Sequence, residues 1–207
     1  MLCDNMMQTM TRAFLALMLG LLTMQAADQT KPATNQTALA TFGGGCFWCT
    51  EALFERVKGV KSAVSGYTAG KTENPTYKQV CSGLTGHAEV IQVEYDPKQV
   101  SYETLLEIFF DTHDPTTLNK QGADEGTQYR SIILYHDDAQ KQAAEKIKKA
   151  SAANYKDPIT TEIVPLKKFY VAEDYHQDYF AKNPNAPYCA FVIRPKLQKF
   201  LKKQGKG

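Results

Sequence analysis

Cys46 occupies a position where a cysteine could act as a nucleophile. It follows three glycines, Gly43–Gly45, between a short apolar run at 38–42 and a stretch whose apolar residues recur at helical spacing. This order predicts a strand, a tight turn and a helix. Free N–H groups and the positive end of a helix dipole stabilise a thiolate, so we expect a lowered pKa for Cys46. The glycines would also let a substrate approach the backbone closely.

Cys46 and Cys49 form a C-x-x-C pair, which several kinds of site use. A zinc site needs more ligands than one such pair supplies, and the other cysteines and histidines are scattered, so we expect no metal. A thioredoxin-like thiol–disulfide oxidoreductase places such a pair after a strand, at the start of a helix. Alternatively, one cysteine is itself oxidised and is then rescued by a resolving thiol. The pair alone leaves these last two interpretations open.

Glu89 is the candidate acid. It alternates with Ile91 and Val93 on one face of a strand predicted for residues 87–95, so its carboxyl points toward apolar neighbours. Burial would raise the pKa of this carboxyl and leave a proton to donate near neutrality. A glutamate that reaches solvent or pairs with a lysine fits the same pattern equally well.

Further polar and aromatic candidates flank these residues. Tyr77, Asp124 and Tyr129 lie in irregular segments, where functional sites are common, although each tyrosine taken singly is more typical of a packed residue. Phe47 and Trp48 directly follow Cys46. Aromatic residues at the start of a helix usually pack into the core, but beside an activated cysteine they favour the wall of a pocket.

The periodicity of the chain predicts the elements that would hold these residues. In order they are a strand at 38–42, a helix after Cys46, strands at 60–67 and 87–95, a helix capped by Ser101, a strand at 129–135, a helix at 137–154 and an extended piece at 160–165. The strand–helix–strand–strand–helix–strand order is that of a split βαβ unit. We therefore expect an α+β fold, a two-layer sandwich with a ferredoxin-like split βαβ core plus a C-terminal helix and an extended arm.

Composition and the two ends set the domain plan. The 207 residues carry a net charge of +2 and are 43% hydrophobic, which excludes a disordered chain or a nucleic-acid polyelectrolyte. The basic start and apolar run at 13–24 predict a signal peptide at 1–27, hence a periplasmic or secreted protein, with a cytoplasmic one as the alternative. A linker at 28–37 and a single catalytic domain at 38–207 follow. The last 14 residues, with six basic and no acidic side chains, predict a solvated, partly frayed tail. No feature demands more than a monomer.

Several motifs, in this order, resemble methionine sulfoxide reductase A over essentially all of residues 40–195. They are GCFWC at 45–49, SGYTAG at 65–70, NPTY at 74–77, CSGLTGHAE at 81–89, YDP at 95–97, HDPTT at 113–117, QGADEGTQYRS at 121–131 and AEDYHQDYFAKNP at 172–184. The combination is far more specific than a lone C-x-x-C. The resemblance implies reduction of the S epimer of methionine sulfoxide, free or in proteins, and so a role in protein repair under oxidative stress.

The resemblance also implies roles for the reacting groups. Cys46 matches the nucleophile that attacks the sulfoxide sulfur and becomes a sulfenic acid as methionine leaves. Glu89 matches the acid that protonates the sulfoxide oxygen. Physical chemistry agrees, because that oxygen is a poor leaving group unless it is protonated.

The groups that would hold the substrate follow from the same resemblance. Tyr77 and Tyr129 match the hydroxyls that bind the sulfoxide oxygen, and Asp124 matches a residue that orders the polar side of the site. Phe47 and Trp48 match the apolar wall that receives the methyl group of the substrate.

The resolving thiol stays open between two cysteines. Cys189 matches the position of the family's resolving cysteine on a mobile C-terminal arm, although the surrounding sequence departs from the family pattern. Cys49 is the alternative, but a disulfide between cysteines three apart requires a distorted first helical turn. We expect Cys81 to be a buried structural thiol. A thioredoxin-like dithiol is implied as reductant, and no organic cofactor is expected.

Overall fold

The computed structural model of the protein describes residues 37–205, and a six-stranded sheet forms its centre. The strands are β1 Ala38–Gly43, β2 Val60–Thr68, β3 Ala88–Tyr95, β4 Lys120–Gln121, β5 Asp124–Glu125, β6 Ile132–Tyr135, β7 Glu162–Pro165 and β8 Tyr170–Val171. The helices are α1 Phe47–Phe54, α2 Tyr77–Cys81, α3 Tyr102–Thr112, α4 Asp138–Ser151, α5 Tyr179–Lys182 and α6 Arg194–Lys203. A π-helical turn, Cys189–Ile193, leads directly into α6.

The central strands confirm the split βαβ arrangement. The sheet order is β7-β6-β1-β3-β2-β8, and its four inner strands pair antiparallel throughout. At the edges, β7 runs parallel to β6 and β8 antiparallel to β2. Strands β4 and β5 form a separate hairpin. The α+β class is therefore confirmed, with the helices following β1 and β3 as crossovers.

The main core lies between the sheet and its helices. The ring of Phe42 on β1 packs against those of Phe54 on α1 and Phe109 on α3, with centroids 5.5 and 5.3 Å away. A smaller apolar cluster covers the other face, where Val90 and Ile132 meet the half-buried Phe169. Since side chains alternate along a strand, this separation of Val90 from the main core places Glu89 on the helix-facing side of β3.

The helix starts follow the capping residues of the sequence. Ser101 accepts a hydrogen bond from the N–H of Thr104 at the start of α3, at 3.1 Å. Asp137 accepts one from the N–H of Gln140 at the start of α4, at 2.8 Å. Both caps satisfy N–H groups that have no partner inside the helix.

The C-terminal segment differs from the predicted arm and frayed tail. Residues 189–203 form the π-helical turn and α6, and Leu197 and Phe200 of α6 are buried in the main core. The apolar face of this helix packs inward while Lys199, Lys202 and Lys203 are exposed, so burial of apolar surface orders the basic segment.

The predicted signal peptide at 1–27, and all but the last residue of the predicted linker at 28–37, lie outside the described residues. Within residues 37–205, no helix has both the length and the apolar character needed to cross a membrane.

Candidate active site

The turn between β1 and α1 needs glycine because other residues press against it. A Cβ on Gly43 would lie 2.8 Å from the carbonyl oxygen of Glu89, and one on Gly45 would lie 2.6 Å from the side chain of Gln121. Gly45 also has a φ of +94°, which L side chains rarely adopt. Gly44 lies against the ring of the buried His113. The glycines therefore admit neighbouring protein groups, which fix the position of Cys46.

Cys46 is the N-cap residue of α1 and is half-buried. The predicted lowering of its pKa is wrong. Burial, a hydrogen bond with Cys49 and the nearby Glu89 together raise the pKa of the Cys46 thiol well above its usual value, although a hydrogen bond from the Trp48 backbone opposes them. The first N–H of the helix, that of Phe47, is taken by Glu89. Desolvation therefore outweighs the helix terminus in the resting pocket.

Glu89 has the environment predicted for an acid. Its side chain is 1% exposed, and its Oε2 accepts a hydrogen bond from the Phe47 N–H at 3.1 Å. Burial raises the pKa of this carboxyl to about 8, against the lowering effect of the single N–H donor. The carboxyl is therefore protonated at neutral pH, beside the residue that follows the nucleophile.

Cys49 belongs to a chain of polar contacts that runs from Cys46 to Asp124. The hydroxyl of Tyr188 lies 3.7 Å from the Cys49 sulfur and donates a hydrogen bond to Asp124 Oδ2 at 2.6 Å. The hydrogen bond from Cys46 lowers the pKa of Cys49 to about 7, opposed by burial and helped by the positive charge of Lys196 and by Tyr188. Asp124 thus orders the polar side of the site through Tyr188, a residue to which sequence reasoning gave no role.

Tyr77 and Tyr129 lie within electrostatic reach of the acid. Burial is the main cause that raises the pKa of Tyr129, and electrostatic repulsion from Glu89 and Cys46 raises it further. Burial and a hydrogen bond to Cys81 raise the pKa of Tyr77, with Glu89 again contributing. Both hydroxyls therefore stay neutral and able to donate. Tyr77 lies at the first position of α2, which a capping box between Thr76 and Gln79 begins.

The aromatic wall consists of Phe47 and Trp48. The Phe47 ring is buried, with its centroid 5.8 Å from that of Tyr67 and 6.5 Å from that of Tyr77. The indole of Trp48 is half-buried and stacks on Tyr179 at 3.7 Å, the planes 8° apart. Phe47 is thus a core residue, while Trp48, next to Cys46, keeps part of its surface exposed.

Two residues of the segment after β8 support this wall, and sequence reasoning gave neither a role. His176 Nδ1 accepts a hydrogen bond from Trp48 Nε1 at 3.1 Å. Glu173 accepts one from the Tyr67 hydroxyl and one from the Tyr77 backbone N–H, both at 2.8 Å. Both lie in the AEDYHQDYFAKNP run, one of the motifs that carry the family resemblance, but its irregular pattern does not indicate the role of either residue.

The remaining cysteines differ from expectation. Cys189 is fully buried and packs with Cys49, Ala52 and Ile193, so it lies on a packed turn rather than on an exposed arm. Cys81 is exposed at the end of α2, so the prediction of a buried structural thiol is wrong. The short helix α2 presents this side chain to solvent.

Metal ligands do not gather among the described residues. Within 37–205, no group of three or more His, Cys, Asp or Glu side chains is arranged to hold a metal ion.

The site pairs a thiol that can be oxidised, Cys46, with an acid that can protonate a departing oxygen, Glu89. That chemistry is the work of cysteine-dependent oxidoreductases. The particular family follows from comparison with known proteins. The family model described as peptide methionine sulfoxide reductase matches residues 38–207, and the chain belongs to that family.

Individual relatives agree with this assignment. The peptide methionine sulfoxide reductase MsrA 1 of Rhodopirellula baltica is 57% identical over 167 residues, which are 81% of this chain and 87% of the relative. The crystal structure of reduced Mxr1 from Saccharomyces cerevisiae matches with a TM-score of 0.71 and 41% identity, over 74% of this chain and 90% of that one. Mxr1 in complex with Trx2 matches with a TM-score of 0.51 and 28% identity, over 72% and 91% of the two chains.

Proposed function

We propose that this enzyme reduces the S epimer of methionine sulfoxide to methionine, with Cys46 as nucleophile and Glu89 as general acid. The observation that carries the proposal is the buried Glu89 carboxyl, bonded to the N–H of Phe47 next to Cys46; its burial raises the pKa of this carboxyl to about 8. A sulfoxide oxygen gains a proton as its bond to sulfur breaks, so an acid that is neutral at pH 7 fits this step.

The first step transfers the oxygen from substrate to enzyme. The Cys46 thiolate attacks the sulfoxide sulfur while Glu89 gives its proton to the sulfoxide oxygen. Methionine leaves, and Cys46 becomes a sulfenic acid. The partial positive charge on the sulfoxide sulfur favours the thiolate once substrate is bound, which offsets the raised pKa of the empty pocket. Tyr77 and Tyr129 donate to the oxygen, and Trp48 receives the methyl group.

The second step forms a disulfide. Cys49 attacks the sulfenic sulfur of Cys46, and water leaves with the transferred oxygen. The lowered pKa of Cys49 and its contact with Tyr188 support this order. Cys46 has non-helical angles of φ −56° and ψ 126°, so the pair does not lie within a regular helical turn. The Cys189 thiol, packed on Cys49, then attacks the Cys49 sulfur of this disulfide, which forms a Cys49–Cys189 disulfide and releases Cys46 as a thiol.

Counting thiols after one turnover tests this order. The Cys189→Ser variant should still lose two thiols per molecule, whereas the Cys49→Ser variant should lose only one and accumulate the sulfenic acid. Loss of two thiols in Cys49→Ser but one in Cys189→Ser would reverse the roles.

An external dithiol of the thioredoxin class supplies the electrons. Reduction of the disulfide returns both thiols and oxidises the partner. The solved complex of Mxr1 with Trx2 supports this partner class.

Export to the periplasm or outside the cell rests on the signal-like sequence at 13–24.

The alternative, a general thiol–disulfide oxidoreductase using Cys46 and Cys49, fits the pocket less well. Attack on a foreign disulfide needs a thiol that is both accessible and ionised. Here the half-buried Cys46 has a raised pKa, and the thiol with a lowered pKa, Cys49, is buried.

Turnover with dithiothreitol and each epimer of a blocked methionine sulfoxide tests the function. We expect turnover with the S epimer alone, abolished in Cys46→Ser. No turnover with either epimer, or full turnover in Cys46→Ser, would refute it.

A further inference from the structure

The indole of Trp48 is held in two different ways. Its stacking on Tyr179, at 3.7 Å and 8°, fixes the plane of the ring but allows it to slide and turn within that plane. The hydrogen bond from Nε1 to His176 Nδ1 fixes the remaining direction. The wall for the methyl group is therefore set by His176 as well as by stacking.

His176 is anchored firmly enough to act as that reference point. Its side chain is 1% exposed. The next residue, Gln177, accepts a hydrogen bond from the Ser65 N–H at 3.0 Å and donates to the Ser65 carbonyl at 3.0 Å, so it binds β2 as an added strand would. Glu173, three residues before His176, accepts hydrogen bonds from the Tyr67 hydroxyl and the Tyr77 N–H. One short turn thus connects the methyl side of the pocket to the oxygen side.

The hydrogen bond also fixes the protonation state that His176 must keep. Because Nδ1 accepts from the indole, the imidazole is neutral and its proton is on Nε2. Among residues 37–205, Nε2 has no hydrogen-bond partner; Glu173 Oε2 is 4.0 Å away. Aromatic rings surround the imidazole otherwise, with Tyr77 and Tyr175 the titratable ones, at 4.4 and 4.2 Å between centroids. Glu173 is therefore the charged group that faces it.

We propose that His176 is a positioning residue of the sulfoxide site, holding the Trp48 indole against the substrate's methyl group only while its imidazole is neutral. A protonated imidazole carries a hydrogen on Nδ1 and repels the indole N–H instead of accepting from it. The proposal rests on the role of Trp48 in the proposed function. Burial lowers the pKa of His176, against the opposing effect of Glu173, so the neutral form prevails at neutral pH.

Three variants separate this role from a merely structural one. The change His176→Asn puts an amide oxygen in the place of Nδ1, so it keeps the acceptor and removes the titration. The change His176→Phe keeps a ring but removes the acceptor. The change His136→Asn is the control, because the pKa of His136 is also lowered but this exposed histidine bonds to Thr41, at 3.0 Å, and not to Trp48.

Trp48 fluorescence gives a direct readout, since the chain has one tryptophan. We expect the emission of the wild type and of His136→Asn to titrate below the usual histidine midpoint of about 6.5. His176→Asn and His176→Phe should show no such step. If the step persists in both His176 variants, the proposal is wrong.

Kinetics give the second readout. For His176→Phe we expect the KM for methionine sulfoxide to rise about fivefold with kcat within about twofold, the effect of one lost hydrogen bond. His176→Asn should stay within about twofold of the wild type in both. An unchanged KM in His176→Phe would overturn the proposal. If His176→Phe does not fold, His176→Asn tests the proposal alone. A fluorescence step that persists in His176→Asn, or a KM that rises by more than about twofold, would then contradict it. Absence of turnover in the wild type would refute the proposed function and leave the fluorescence result interpretable.

Discussion

Two glutamates support the pocket, and their surroundings give them opposite charge states. Glu89 is 1% exposed and accepts one N–H, and burial raises its pKa to about 8. Glu173 is half-buried, and burial raises its pKa too, but hydrogen bonds from the Tyr77 N–H and the Tyr67 hydroxyl outweigh it and leave the pKa lowered. The number of donors decides which carboxyl stores a proton and which remains a charged anchor.

Removing the stored proton should have the largest effect. For Glu89→Gln we expect the rate of sulfenic acid formation at pH 7 to fall by roughly 10²-fold or more, because the nearby hydroxyls of Tyr77 and Tyr129, whose pKa values are raised, are much weaker acids. The difference in rate between the wild type and Glu89→Gln should narrow as the pH is lowered, because solvent then supplies protons. Rapid-mixing single-turnover kinetics measure this rate.

Glu51→Gln is the matched control for that change. Glu51 is also buried, with a pKa raised by burial to about 7, but it accepts from Ser65 on β2 rather than from the catalytic turn. We expect it to keep the wild-type rate within a few-fold. Equal rates for Glu89→Gln and wild type at every pH would remove the acid role.

The raised pKa of Glu89 should also appear in the pH dependence of stability. Its folded pKa of about 8 lies above the unfolded value of 4.5, so the folded state binds the extra proton between these values. The stabilisation is complete below pH 4.5 and is lost as the pH rises through 8. Urea unfolding should therefore show wild type losing on the order of a few kcal/mol between pH 5 and 9 relative to Glu89→Gln. Parallel curves for the two proteins would contradict a neutral Glu89.

Weakening the anchor should have the smallest effect. Glu173→Gln keeps one carbonyl oxygen where the carboxylate used both, so one of its two hydrogen bonds is lost. We expect kcat/KM to fall about three- to tenfold, the equivalent of about 1 kcal/mol, with an unchanged pH profile. A pH profile shifted like that of Glu89→Gln would mean that the two glutamates do not differ as described.

The positions of Cys46 and Glu89 could be predicted from sequence because local patterns determine them. Alternation along β3 placed Glu89 on the helix-facing side, and the glycine turn placed Cys46 at the start of α1. The pKa of Cys46 was predicted wrongly, because a helix terminus is visible in sequence but the burial that outweighs it is not.

The other residues that support the site come from segments without periodicity. Tyr188, His176 and Glu173 reach the site through side-chain contacts across 96 to 139 positions of the chain, which no local pattern encodes. Two missed elements did carry signals. The Thr76–Gln79 capping box marks α2, and the spacing of Leu197 and Phe200 marks α6.

The protonation state of Glu89 tests the account most directly. Infrared difference spectra of the folded protein are recorded between pH 6 and pH 10 and compared with the same spectra of Glu89→Gln. The difference between the two proteins isolates the carbonyl band of the protonated Glu89 carboxyl. The band of Glu51 is present in both proteins and cancels. We predict a band present at pH 7, lost with a midpoint of about 8 and absent from Glu89→Gln. A Glu89 carboxyl already ionised at pH 6 would contradict the claim that the site holds its proton ready for the sulfoxide oxygen.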